Sequence, residues 1–292
     1  MSEPVEYAGK AVLLREIAKL VYGLPRQATE AIPIEDVYDA LPEERASAID
    51  SALKKMDALE LISLELKKPS IRTLGHGKAC FEQNCVPEVI LGADYIAKKY
   101  RKAIVHIIIE RSDGVESGGT GFFWADYLHQ LVTAGHVVNG HRIKRIEDSD
   151  GNSIAFTGEQ VKVGPPDLDL AMVACEMPAG VEPLRVEWKI NAVSLGAGLI
   201  VFGYPKIAFH HPSLYQSRAE LHAIPRRYSS PRDSLIISGT HPGCSGGPVV
   251  DLRGFAIGVI EQENVIEHQS GANVYFSATP ACYLRELISL PL

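Results

Sequence analysis

The chain has 292 residues, room for two domains and a sizeable core, and its 29 Lys and Arg against 36 Asp and Glu leave a formal net charge of -7. That balance gives no global electrostatic case for nucleic acid. Five scattered cysteines (Cys80, Cys85, Cys175, Cys244, Cys282) argue against a disulfide-stapled secreted domain, and Cys80 and Cys85 are too isolated from further Cys or His ligands for a zinc site. The first twenty residues are interrupted by Glu3, Glu6, Lys10, Arg15, Glu16 and Lys19, so they lack the apolar core of a signal peptide. A cytoplasmic chain with no metal or cofactor is the expectation.

Residues 12–22 have apolar positions at helical spacing. A second short helix is expected over 34–41. A third is expected over 43–61, with Ala46, Ile49, Leu53, Met56 and Leu59 three and four apart. Residues 61–66 read as a strand, 67–70 as a turn and 71–74 as a return strand, and another helix begins over 75–82. Three helices and a hairpin resemble a small α+β winged-helix domain, assigned to residues 1–87. Such a domain places its third helix in the major groove and its wing on the backbone. Here the third helix has a mixed charge (Glu43, Glu44, Arg45, Asp50, Lys54, Lys55, Asp57, Glu60), and residues 1–87 hold 11 Lys and Arg against 14 Asp and Glu. The wing is locally basic (Lys67, Lys68, Arg72, Lys78), a pattern a merely solvated hairpin also shows. A protein partner or self-association through residues 1–87 therefore ranks ahead of DNA. Residues 88–102 read as a linker helix with Lys98, Lys99, Arg101 and Lys102 on its exposed side.

From residue 103 to 292, short strands alternate with turns. Strands are expected over 103–110, 121–125, 130–133, 168–174, 198–203, 235–238, 247–251, 255–262 and 273–277. Asp150-Gly151 signals a hairpin turn, and residues 279–290 a closing helix. The pattern suits a barrel or a sandwich. The uncharged run 190–204 is short and broken by glycines, so no membrane partner is expected.

Three local patterns carry chemistry. Thr133-Ala134-Gly135-His136 follows an apolar strand, Asp169-Leu170-Ala171-Met172-Val173 opens one, and Gly243-Cys244-Ser245-Gly246-Gly247-Pro248 is a glycine-rich turn. Each has a bland explanation alone: a strand-end histidine, an ordinary polar residue, a turn between strands. Together they supply a hydroxyl, an imidazole and a carboxylate. A serine hydroxyl needs a base within reach, imidazole titrates near working pH, and a carboxylate on its far nitrogen fixes the tautomer. Gly243 lets its own N–H and that of Ser245 converge on one oxyanion. Asp167, two residues earlier, rivals Asp169, which is favoured because Leu-Ala-Met-Val follows it directly.

The order His…Asp…Ser is that of the chymotrypsin-type fold. With Gly119-Thr120-Gly121-Phe122-Phe123 and Gly203-Tyr204-Pro205 in place, residues 103–292 resemble a trypsin-like serine peptidase domain of the bacterial Deg/HtrA or glutamyl-endopeptidase style. The resemblance implies an all-β double six-stranded barrel with the site in the cleft between barrels. It makes His136 the base, Asp169 the orienting acid, Ser245 the nucleophile, and Gly243 and Ser245 the oxyanion donors. In secreted relatives an aspartate precedes the nucleophile and pairs with a freed amino terminus. Cys244 stands there instead, which argues against activation by cleavage.

By alignment on the serine, Gly239, Thr240, Val259, Ile260, Glu261 and Gln262 should border bound substrate, with the 259–262 strand accepting a peptide by strand addition. No selective aspartate falls at Gly239, and Glu261 or Glu263 could favour a basic residue instead, so the cleavage preference stays open. The expected function is a serine endopeptidase acting on protein or peptide, its first domain recruiting or sensing a partner. The alternatives are a DNA-binding regulator with a protease output and a non-catalytic peptide-binding scaffold.

Overall fold

The computed structural model describes residues 6–23, 31–65, 69–127, 129–228, 230–268 and 271–290. The chain divides into two compact units, Glu3–Ile96 and Ala97–Leu292. The first contains α1 (Ala8–Tyr22), β1 (Ile32–Pro33), α2 (Ile34–Ala40), α3 (Ala46–Ala58), β2 (Ile62–Glu65), β3 (Ser70–Thr73) and α4 (Gly75–Glu82). α5 (Val86–Tyr100) crosses the boundary. Three- and four-residue spacing buries Leu13, Leu14, Ile17 and Val21 of α1 and Ile49, Leu53 and Met56 of α3. α3 stops short of the expected 43–61 because Glu60 turns left-handed (φ 54°) and the Leu61 amide bonds back to the Met56 carbonyl at 2.9 Å. The expected hairpin gains β1 as a third strand, paired to Ser70 and Ile71 and too short to leave a periodic signal. Lys67 and Lys68 lie outside the described residues.

α5 is interrupted at Gly92 (φ 76°, ψ -163°). Its last turn corrects one expectation: Lys99 is buried, with its amine 3.7 Å from the Glu182 carboxylate, whereas Lys98, Arg101 and Lys102 are exposed.

The second unit opens with β4 (Ile104–Glu110), β5 (Glu116–Phe123), β6 (Gln130–Ala134), α6 (Gly135–Val138), β7 (Arg142–Glu147), β8 (Phe156–Val163) and β9 (Leu170–Cys175). Its strands form a six-stranded sheet in the order β7-β4-β5-β6-β9-β8. Around the Asp148–Asn152 turn, the Ile154 amide reaches the Ile146 carbonyl at 2.8 Å and draws the two ends of the sheet together. Val105, Ile107, Phe123, Leu131, Ile146, Ala171 and Val173 fill this barrel.

β10 (Arg185–Val186), β11 (Gly198–Gly203), β12 (Tyr215–Ala223), β13 (Leu235–Ile237), β14 (Pro248–Asp251), β15 (Phe255–His268), β16 (Gly271–Pro280) and α7 (Leu284–Ser289) follow. The order β10-β15-β14-β11-β12-β13-β16, with β15 also paired to β16, closes six of these strands into a second barrel around Leu199, Val201, Leu221, Leu235, Val249 and Ile260. The expected pair of six-stranded barrels is therefore what the chain forms. Strands β7, β8 and β12 lie outside the expected set, because their exposed faces interrupt the apolar pattern with Arg, Lys, Gln and Glu, and β10, only two residues long, lies outside it too. The β15–β16 ribbon also runs well beyond the expected 255–262 and 273–277.

Candidate active site

The register of the first barrel sets up the first contact. β6 pairs with β9 so that Ala134 lies opposite Leu170, which places the two residues after β6 beside the residue before β9. Asp169 adopts φ 46°, a left-handed conformation that aspartate tolerates better than most side chains. Its carboxylate holds His136 twice. The His136 backbone N–H donates to Oδ1 at 2.8 Å, and ring Nδ1 lies 2.8 Å from Oδ2 and 3.1 Å from Oδ1. Gly135 permits this approach, since a Cβ there would crowd Asp169 Oδ1 at 3.2 Å. The imidazole is 44 % exposed and the carboxylate 17 %. The result is a carboxylate-held imidazole that is partly open to solvent. Asp167 does a different job, accepting from the Ser230 hydroxyl at 2.8 Å and pairing with Arg232.

Ser245 comes from the second barrel, on the turn before β14. Gly243 (φ 97°) and Gly246 (φ 85°) both take conformations that favour glycine. A side chain at Gly246 would collide with the Thr120 carbonyl and the Thr133 hydroxyl, so the turn seats directly on β5 and β6. The Thr120 amide donates to the Ser245 carbonyl at 2.8 Å. His136 begins two residues after Ala134, whose amide also borders the Gly246 position. Among the described residues, no hydrogen bond joins the Ser245 hydroxyl to His136 in this resting geometry, and neither the Gly243 nor the Ser245 N–H has a protein acceptor. Cys244 is buried, and burial pushes its thiol up to about 11, so no thiolate competes with the adjacent serine near neutral pH.

A cavity of about 460 Å³ borders Gly243 and is lined by His106, Ile108, Glu116, Tyr204 and Lys206 among others. His106 stacks on Tyr204 with ring centroids 5.0 Å apart, and burial holds its imidazole below the ordinary range.

The residues expected to border substrate divide. Gly239 (φ 75°) closes against the Arg218 carbonyl, and Thr240 is buried. Val259 is buried and pairs with Pro248 and Thr279. Ile260 differs from the expectation of strand addition: its N–H already donates to the Gly247 carbonyl at 2.8 Å, and its carbonyl accepts from Gly246 at 2.7 Å. Glu261 is also not offered to a cleft. Its buried carboxylate pairs with Arg227 and accepts from Thr279 and, at 3.0 Å, from Ser277. The side chain of Gln262 lies outside the described ones. Sequence reasoning did not single out Arg227, because a lone arginine in a polar loop carries no local signature.

Two closed β-barrels, with a carboxylate-held histidine on one and a glycine-flanked serine turn seated against it from the other, define the chymotrypsin-like class. Residues 119–259 match the family model described as a trypsin-like peptidase domain. The uncharacterized protein y4bJ of Sinorhizobium fredii (strain NBRC 101917 / NGR234) is 32% identical over 145 residues, covering 49% of this chain and 22% of that protein. The matched region thus spans about a fifth of that relative's length. The solved HtrA-type protease AlgW with tripeptide aligns with a TM-score of 0.53 at 19% identity, over 66% of this chain and 61% of that one. The Rv3671c protease from M. tuberculosis, active form, aligns at 0.50 with 22% identity, over 68% and 86%. These likenesses carry the fold. No helix among the described residues is long and apolar enough to cross a membrane.

Proposed function

We propose that this chain is a serine endopeptidase in which Ser245 is the nucleophile, His136 the general base, Asp169 the orienting carboxylate, and the Gly243 and Ser245 amides the oxyanion donors. The observation that carries the reading is the double hold of Asp169 on His136, through ring Nδ1 and backbone N–H together. An imidazole held at Nδ1 presents Nε2 as the acceptor. When substrate enters, the Ser245 hydroxyl turns toward Nε2, a bond that commonly tightens only in the bound complex. Its oxygen attacks the scissile carbonyl while its proton passes to Nε2, and Asp169 stabilises the imidazolium. The carbonyl oxygen gains the negative charge and is met by the two unengaged amides. Collapse expels the amine, which takes the proton from His136 and leaves an acyl-enzyme. A water then repeats the sequence and restores Ser245.

The protein or peptide class of substrate follows from the domain family. For residues 1–87 we propose a role in recruiting or sensing a protein partner. It is supported by the mixed charge that α3 exposes, with Asp50, Lys54, Lys55 and Asp57 together on its outer face.

A fluorophosphonate probe applied to wild type and to Ser245→Ala tests the nucleophile. Covalent labelling of wild type, mapped to Ser245 and absent from the variant, is the expected result. Equal labelling of both would remove Ser245 from the mechanism.

A further inference from the structure

We propose that Thr120 is the positioning residue of the oxyanion turn, a role that rests on the reading of Ser245 as nucleophile. The turn from Pro242 to Ser245 has four peptide planes whose directions decide where two amides point. Each plane is pinned by a hydrogen bond on its carbonyl. Lys206 N–H holds the Pro242 carbonyl at 3.1 Å, and Gly247 N–H holds the Cys244 carbonyl at 2.8 Å. In a planar trans peptide the N–H points opposite to the carbonyl before it, so these two bonds turn the Gly243 and Ser245 amides away from the protein. On the other two planes Thr120 holds the carbonyls from the first barrel: its hydroxyl donates to the Gly243 carbonyl at 3.0 Å and its N–H to the Ser245 carbonyl at 2.8 Å. The N–H groups of the same planes donate to the His241 carbonyl at 3.0 Å and the Ile260 carbonyl at 2.7 Å.

The hydroxyl has no freedom to do otherwise. It is completely buried, and it accepts the Tyr204 N–H at 2.9 Å, which occupies a lone pair and leaves its one proton for Gly243. The Thr133 hydroxyl fixes the Thr120 carbonyl in turn at 2.7 Å. Gly243 needs such support, because at φ 97° it has no side chain to limit rotation: its flanking planes rest on Lys206 at the Pro242 carbonyl and, on the other side, on Thr120 at the Gly243 carbonyl together with the Cys244 N–H on the His241 carbonyl at 3.0 Å. Lys206, Gly247, His241 and Ile260, the turn's other backbone partners, all belong to the second barrel's own chain segment. Thr120 is therefore what makes the oxyanion geometry depend on the seating of one barrel against the other.

The test compares wild type, Thr120→Ser and Thr120→Val in full-length protein. One readout is the second-order rate of fluorophosphonate labelling at Ser245, which builds charge on the oxygen facing the two amides. The other is the rate of diethyl pyrocarbonate modification at His136, mapped by peptide, which needs no oxyanion donor. Thr120→Val is expected to slow serine labelling by roughly 10- to 100-fold, a fraction of the loss seen when an oxyanion donor itself is removed. Histidine modification should stay at the wild-type rate, and Thr120→Ser should restore labelling to within about threefold. Wild-type labelling speed in a folded Thr120→Val overturns the proposal. So does a parallel loss at His136, which would make the hydroxyl merely structural. If Thr120→Val does not fold, Thr120→Cys, with a weaker donor, takes its place under the same criteria. Silence at Ser245 in wild type would instead overturn the nucleophile assignment itself.

Discussion

Asp167 and Asp169 are two residues apart and carry the same carboxylate, yet their surroundings give them different work. Asp169 bonds to His136 at the ring and at the backbone, whereas Asp167 ties the Ser230–Arg232 loop to the first barrel. Substitution should separate these roles. Asp169→Asn keeps the shape and tolerates the left-handed backbone, but its amide cannot hold the ring in the same tautomer or stabilise an imidazolium. The expected result is a loss of roughly 10⁴-fold in the rate of Ser245 acylation with little change in melting temperature. Asp167→Asn should do the reverse, with labelling near wild type and a stability loss of about 1 kcal/mol, because the Asp167–Arg232 pair is only partly buried. Stopped-flow labelling and urea denaturation of both variants check this. A rate loss centred on Asp167 would transfer the orienting role to it.

At the scale of strands and turns, legibility followed burial. β11 was read to the residue because Leu199 to Phe202 form an unbroken apolar run buried in the second barrel. The ends of β6 and β9 were legible for the same reason, and with them His136 and Asp169. β12 was not, since it alternates buried Ala219 and Leu221 with exposed Gln216, Arg218, Glu220 and His222. Long-range polar pairs were harder still. Glu261 and Arg227 are 34 residues apart, and nothing local in either segment announces that they meet. Glu261 read as a pocket carboxylate only because its partner was out of view. Burial pushes the Arg227 guanidinium down, while Asp169 and Asp167 act to raise it, so the pair sits in the field of the candidate site. Glu261→Ala leaves that partly buried cation without its directly bonded carboxylate and should cost about 1–3 kcal/mol. Replacing both members, as in Arg227→Met with Glu261→Leu, should recover most of the loss. Urea midpoints for the single and double variants decide it, and additive losses would mean that the pair does not act as one.

For the whole molecule, the arrangement of cores makes a mechanical claim. Every buried member of the two barrel cores comes from residues 103–278, while α1 and α3 bury their own apolar stripes within the first unit. The boundary lies inside α5, where Gly92 already breaks the helix, and the turn beyond it brings buried Lys99 to Glu182 in the second unit. A chain that begins at Ala93 keeps that turn and both barrels. Calorimetry of the full chain should then show two transitions, and the shortened chain should retain the barrel transition with its midpoint moved by no more than a few degrees. The same pair of proteins reports on control, because Cys244 cannot form the ion pair that cleavage-activated relatives use. If residues 1–92 restrain the site, fluorophosphonate labelling of Ser245 rises on their removal. If they only recruit a partner, the labelling rate is unchanged and the shortened chain differs in what it binds. Loss of the barrel transition on truncation would show instead that the two units fold as one cooperative block, and that the first unit acts on the site through stability.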